Sequence, residues 1–170
     1  MSLKSAILAG LSDQKVWLRV EGRGTFQTSS GLKEYVRRMI QRGHRDFIID
    51  LSQCELMDST FMGTMAGIAL RLREIGSGSL TVMNPNPRNF QLLENLGLDH
   101  LFQFARPGES VEAPRSEKEV RVDAEGAEEQ RTTILSAHEA LVEADPENEA
   151  RFKDVLELLK QEAAQDPGDS

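Results

Sequence analysis

Val16, Leu18 and Val20 alternate with Trp17, Arg19 and Glu21, the period-two pattern of a strand with one buried face. A weaker strand pattern over residues 5–11 precedes it, and Gly22 and Gly24 end it. Leu32, Tyr35, Val36, Met39 and Ile40 then recur at spacings of three and four. They predict a helix that starts among the polar residues 27–31 and runs to about Arg42. Gly43 stops it, after Arg37, Arg38 and Arg42, cations suited to a helix C-terminus. Residues 46–51 (Asp-Phe-Ile-Ile-Asp-Leu) form a short, nearly unbroken apolar run, as expected of a central strand covered on both faces. A short loop would lead from Leu51 to Asp58. A second helix over about residues 59–74 places Met62, Met65, Ala66, Ala69, Leu70 and Leu72 at core-like spacing. Gly63 and Gly67 lie one helical turn apart on one of its faces. Each costs about 1 kcal/mol of helix propensity against Ala, so a close approach is expected, which we assign to packing of this helix on the sheet.

Residues 76–79 read as a turn and residues 80–83 as the next strand, closed by Asn84-Pro85-Asn86-Pro87. Arg88 to Leu96 reads as a helix with Phe90, Leu92, Leu93 and Leu96 apolar, stopped at Gly97, and residues 101–104 as a last short strand. The order β-β-α-β-α-β-α-β predicts an α/β fold, a mixed β-sheet packed with helices. This domain is expected to span residues 1–104. Residues 105–130 carry Pro107, Gly108 and Pro114 among Glu, Arg, Ser and Ala, with no apolar period, and read as an acidic, flexible linker. Over residues 131–166 the pattern returns as a C-terminal helical hairpin. Ile134, Leu135, His138, Leu141 and Val142 keep helical spacing. Asp145-Pro146 supplies a cap and a first-turn proline for a second helix, whose apolar face is Phe152, Val155, Leu156 and Leu159. Such a hairpin buries too little apolar surface to stand alone. It is expected to dock on its own domain, on a second copy or on a partner.

Composition narrows the function classes. A chain of 170 residues suffices for one well-buried domain plus an appendage. No apolar run approaches the roughly 20 residues that cross a bilayer, and the start does not read as a secretory signal, so no membrane partner is expected. The single cysteine, Cys54, allows no intrachain disulfide and has no clustered partners for a metal. A cytoplasmic location is the expectation. Charge is unevenly placed: residues 1–104 carry 12 Lys and Arg against 10 Asp and Glu, and residues 105–170 carry 8 against 18. An acidic tail and a domain without a basic stripe argue against nucleic acid.

The candidate chemistry sits at the start of the second helix. Asp58, Ser59 and Thr60 are residue types favoured as N-caps, and the same helix end favours a bound or covalent phosphate. From the residues alone, a plain cap and a functional hydroxyl both remain open. Enzyme chemistry is not expected. A nucleophilic serine needs a nearby base, and His44, His100 and His138 stand in no motif with Ser59, so each is expected at the surface or a boundary. Gly22-Arg23-Gly24 and Gly76-Ser77-Gly78 lack the spacing of a phosphate loop. No cofactor is expected.

Ile48-Ile49-Asp50-Leu51-Ser52 and Leu56-Met57-Asp58-Ser59-Thr60-Phe61-Met62-Gly63, in this order of elements, resemble the STAS domain, the family of anti-sigma factor antagonists. Val20-Glu21-Gly22, Asn84-Pro85 and Leu93-Glu94-Asn95-Leu96-Gly97-Leu98 extend the resemblance over roughly residues 5–104. The resemblance implies a binding protein rather than an enzyme. Its partner would be an anti-sigma factor serine kinase, which it sequesters while Ser59 is unphosphorylated. Phosphorylation of Ser59 (Thr60 as second choice) would end the contact, and a PP2C-type phosphatase would restore it. Asp58, Ser59, Thr60, Phe61 and Met62 would face the partner, with Asp58 helping to orient the hydroxyl or the partner kinase's groups. Two departures stand out. Phe61 replaces the family's usual glycine, so its ring would reshape the partner's approach or form an exposed contact. The C-terminal extension is absent from minimal antagonists. It supports an alternative, a STAS scaffold or assembly protein in which Ser59 is no switch and the C-terminal helices join a homodimer.

Overall fold

The structure is a computed structural model and describes residues 4–105, 113–120 and 127–165. It enters through a hairpin of β1 (Ala6–Ser12) and β2 (Lys15–Gly24). Its two loop residues, Asp13 and Gln14, both have positive φ (51° and 70°), the turn geometry whose twist matches that of paired strands. α1 (Phe26–Gln41), β3 (Asp46–Asp50), β4 (Cys54–Met57), α2 (Ser59–Ile75), β5 (Ser79–Met83), α3 (Pro87–Asn95), a 3₁₀ turn at Leu98–His100 and β6 (Gln103–Phe104) follow. β7 (Lys118–Glu119), α4 (Ala127–Ala144) and α5 (Asn148–Gln165) complete the chain. The sheet order is β6-β5-β3-β2-β1-β7, with β2, β3, β5 and β6 parallel and β1 antiparallel to both its neighbours. This is the mixed α/β sheet the pattern predicts.

Two strands were not anticipated. Where a loop was expected, β4 pairs in parallel with the far end of β2, Gly22 to Gly24, beyond the reach of β3. Side chains hold it there. Asn86 Nδ2 donates to the Cys54 and Glu55 carbonyls at 3.3 and 3.2 Å, and Asn89 Nδ2 donates to Cys54 O at 3.0 Å. Within the expected linker, β7 pairs with Leu8 and Ala9 of β1, and Val120 N–H donates to Ile7 O at 2.7 Å. Arg19 pairs with Glu117 at 2.9 Å. Residues 113–120 are thus tied to the sheet edge, while residues 106–112 and 121–126 lie outside the described residues. Helix starts also moved by a few residues. Thr25, ahead of the polar run, caps α1 in a capping box with Thr28, and Asp145 caps a turn one step before α5.

Val16, Leu18, Val20, Phe47, Ile49 and Leu51 fill the core on the helix side of the sheet, and Trp17, Ile48 and Met83 cluster on the other. β3 is therefore covered on both faces. α2 is buried almost all round, because the sheet lies on one side of it and α4 on the other. The Gly63–Gly67 face turns out to meet α4 rather than the sheet. A Cβ on Gly63 would overlap the Ala137 carbonyl, and one on Gly67 would lie 3.8 Å from the Ala140 Cβ. Of the three docking modes open to the hairpin, the chain adopts the first. Ala137, Ala140 and Leu141 of α4 are buried on their own domain, while Val155 and Leu158 of α5 stay exposed. Asn148 Nδ2, itself buried, donates to Leu96 O and Leu141 O at 2.9 and 2.8 Å, and Arg151 donates to Asn95 O at 2.7 Å.

Candidate functional site

β4 delivers the chain to the mouth of α2 beside β2: Asp58 N–H donates to Gly24 O at 2.9 Å. Asp58 is extended (φ −92°, ψ 173°) and caps α2, its Oδ1 accepting from Phe61 N–H at 2.8 Å. Its Oδ2 accepts from Phe26 N–H, the first residue of α1, at 2.9 Å. One carboxylate therefore ties two helix N-termini together, and both ends bring partial positive charge to the same place. The cap is Asp58; Ser59 is the first helical residue, so its hydroxyl is not the one closing the helix end.

That hydroxyl meets His138. Ser59 Oγ and His138 Nε2 are 2.9 Å apart, and His138 Nδ1 lies 2.7 Å from Ile134 O. A carbonyl can only accept, so Nδ1 carries the hydrogen, and in the neutral ring Nε2 accepts from Ser59 O–H. His138 is 3% exposed and stacks edge-on against Phe152 with centroids 4.9 Å apart. The expectation of a surface histidine with no link to Ser59 is thus overturned. Of the two roles expected of Asp58, orienting the hydroxyl or the partner kinase's groups, the first falls to His138 from the C-terminal extension, because both Asp58 oxygens serve backbone N–H groups.

The other expected contact residues separate by burial. Asp58 and Ser59 are half-buried, whereas Thr60, Phe61 and Met62 are buried. Thr60 faces inward, which leaves Ser59 as the reachable hydroxyl of the two. Phe61 is fully buried, and a Cβ on Gly24 would stand 2.7 Å from its ring. The ring replacing the usual glycine therefore fills space beside a glycine on β2, and it is not an exposed contact. An apolar residue that sequence reasoning passed over, Phe26, is exposed beside the site. As the first residue of α1 it belongs to no apolar stripe, so periodicity gives no sign of it.

A Ser–His hydrogen bond has the polarity of a nucleophile and its base. A cleft of about 660 Å³ between α1, α2 and α4 is walled by Lys33, Val36, Gly63, Thr64, Ala137 and Ala140, a turn beyond Ser59. Burial pushes the Cys54 thiol up, away from a reactive thiolate. Among the described residues no cluster of His, Cys, Asp and Glu could hold a metal ion. No helix of the described residues is long and apolar enough to cross a membrane.

Comparison with known proteins agrees with this architecture. The fold is similar to the Thermotoga maritima protein TM1081 in its crystal structure, at 20% identity and TM-score 0.54, covering 59% of this chain and 86% of that one. It is also similar to SpoIIAA of Bacillus, an anti-sigma factor antagonist, in its unphosphorylated form: 21% identity, TM-score 0.54, 61% of this chain and 91% of that one. No curated protein matches the sequence. Residues 7–103, more than half of the chain and running from β1 into β6, match the family described as Mlab, STAS domain, and the chain belongs to that STAS domain family.

Proposed function

We propose that this protein is an anti-sigma factor antagonist, a cytoplasmic binding protein that regulates transcription through the state of Ser59 and carries out no reaction of its own. Unphosphorylated, it sequesters an anti-sigma factor serine kinase; phosphorylated on Ser59, it lets the kinase go; a PP2C-type phosphatase resets it. The observation that carries this reading is the division of labour at the α2 mouth. Asp58 satisfies the helix end, so the neighbouring hydroxyl has no structural duty to the helix, and its one side-chain contact is with His138 of the C-terminal extension. A phosphate there would add about −1.5 to −2 charges. Two helix N-termini would tolerate it, while a partner surface fitted to Phe26, Asp58 and a neutral Ser59 would meet repulsion and a desolvation cost. The switch thereby acts on the interface without refolding the domain.

The hydrogen bond to His138 favours one other reading, a serine hydrolase, and the scaffold reading remains a third. Affinity capture of the full chain from its own cells, with mapping of phosphosites, separates the switch from the scaffold. The switch expects phosphate on Ser59, and a serine kinase recovered with Ser59→Ala but lost with Ser59→Asp. Identical partners for both variants and an unmodified Ser59 would leave the scaffold reading in its place.

A further inference from the structure

The helices α4 and α5 lie outside the segment that matches the STAS family, yet α4 lies on α2 and meets Ser59, the part of it that the proposed switch uses. We propose that the hairpin is an intramolecular cap, which must leave α2 before Ser59 can be phosphorylated or held by a partner. This inference rests on the reading of Ser59 given above and adds its regulation.

Three observations carry it. His138 Nε2 sits at hydrogen-bond distance from Ser59 Oγ, so the imidazole occupies one of the directions from which a phosphoryl donor or a partner group would reach that oxygen. With the ring neutral, the serine's hydrogen is committed to His138, and a kinase's catalytic base would have to displace that bond. Secondly, α4 approaches α2 at backbone distance where Gly63 meets the Ala137 carbonyl, so no partner element can share this face while α4 is docked. Thirdly, the contact is suited to release. Of its buried side chains on α4, Thr133, Ala137 and Ala140 are small and bury less apolar area than Leu or Phe would, and Leu141 is the large apolar one. Several of its anchors are polar and can be exchanged for water: Lys33 Nζ to Ser136 Oγ at 3.1 Å, Arg151 to Asn95 O, and His138 to Ser59 itself. Docking and partner binding then compete for one surface, so each weakens the other by the same factor. The apparent affinity for the partner falls with the fraction of open molecules.

The test uses the full chain with phosphoserine encoded at position 59, and follows amide hydrogen exchange by mass spectrometry. In the unmodified protein α4 should exchange slowly. Phosphoserine should speed exchange across α4 at least tenfold and leave β3 and β5 unchanged. Protection of α4 that is the same in both forms overturns the cap. A second arm uses His138→Ala, which removes the contact with Ser59 without placing a charge in the interface. It should raise α4 exchange severalfold and increase the amount of serine kinase captured per molecule; equal capture and equal exchange overturn the cap while leaving the switch standing. Recovery of no kinase by any form removes the switch, and the exchange measurement with phosphoserine still decides the cap.

Discussion

Ser59 and His138 are separated by 79 residues, and their side chains meet at 2.9 Å. The carbonyl of Ile134 holds the imidazole with its acceptor nitrogen toward the serine. The same pair could activate a nucleophile or occupy a hydroxyl, and the surroundings decide between these. The neighbouring cleft opens a turn away, toward Gly63 and Thr64, and α4 lies over the serine's helix. A fluorophosphonate probe should therefore fail to label the full chain. Labelling of Ser59 that disappears in His138→Ala would instead show a competent nucleophile and displace the binding-protein reading.

Asp58 offers a test of how the site is built. Its carboxylate accepts from Phe61 N–H at the start of α2 and from Phe26 N–H at the start of α1. Asp58→Ala removes both. Loss of an N-cap costs about 1 kcal/mol, and the Phe26 N–H, lying at an exposed position, can turn to water. The expected loss is about 1–2 kcal/mol, read from urea unfolding. Asp58→Asn keeps an oxygen for the cap but offers an amide NH₂ to the second donor, so about half that loss is expected. A loss above 4 kcal/mol would show that the carboxylate supports more than these two helix ends.

Much of the fold was legible because burial writes a period into the chain. Val16, Leu18 and Val20 gave β2, and Leu32, Val36 and Met39 gave α1, since each pattern reports one buried face. β4 and β7 were not legible: four and two residues are too few to show a period, and side chains and edges elsewhere in the sequence hold them. The Asp58–Ser59 stretch was legible as a helix start, but not which residue would cap. Gly63 announced a close approach without saying what approaches, because a missing side chain looks the same whether a sheet or a helix lies against it. His138 could not be assigned to Ser59 at all. That contact depends on where α4 docks, which is set by three-dimensional complementarity between Gly63 and Ala137 and not by local pattern.

The two glycines of α2 should therefore respond differently to the same change. Ala gains about 1 kcal/mol of helix propensity over Gly at either position. At Gly67 the new methyl would make an ordinary contact with Ala140, so Gly67→Ala should be neutral or stabilising by up to about 1 kcal/mol. At Gly63 it would overlap backbone of α4, and the hairpin must shift. Gly63→Ala should speed hydrogen exchange in α4 while the strands keep their protection. Equal behaviour of the two variants would mean that α4 does not rest on α2 at this register.

Phe61 and Gly24 form a complementary pair, a ring in place of a glycine on α2 and a glycine on β2 that makes room for it. The ring is fully buried, so Phe61→Ala should cost about 3–5 kcal/mol, the range for truncating a buried aromatic. Gly24→Ala should also destabilise, because its methyl would press on a ring backed by the core. The two changes share one space, so the double variant should lose less than the sum of the single losses, by about 0.5–3 kcal/mol. Additive losses would show that the two positions do not compete for the same volume. The cycle also separates packing from recognition. If Phe61 serves only the interior, whatever Phe61→Ala protein remains folded should bind its partner as the parent does. Weaker binding per folded molecule would return the ring to the interface.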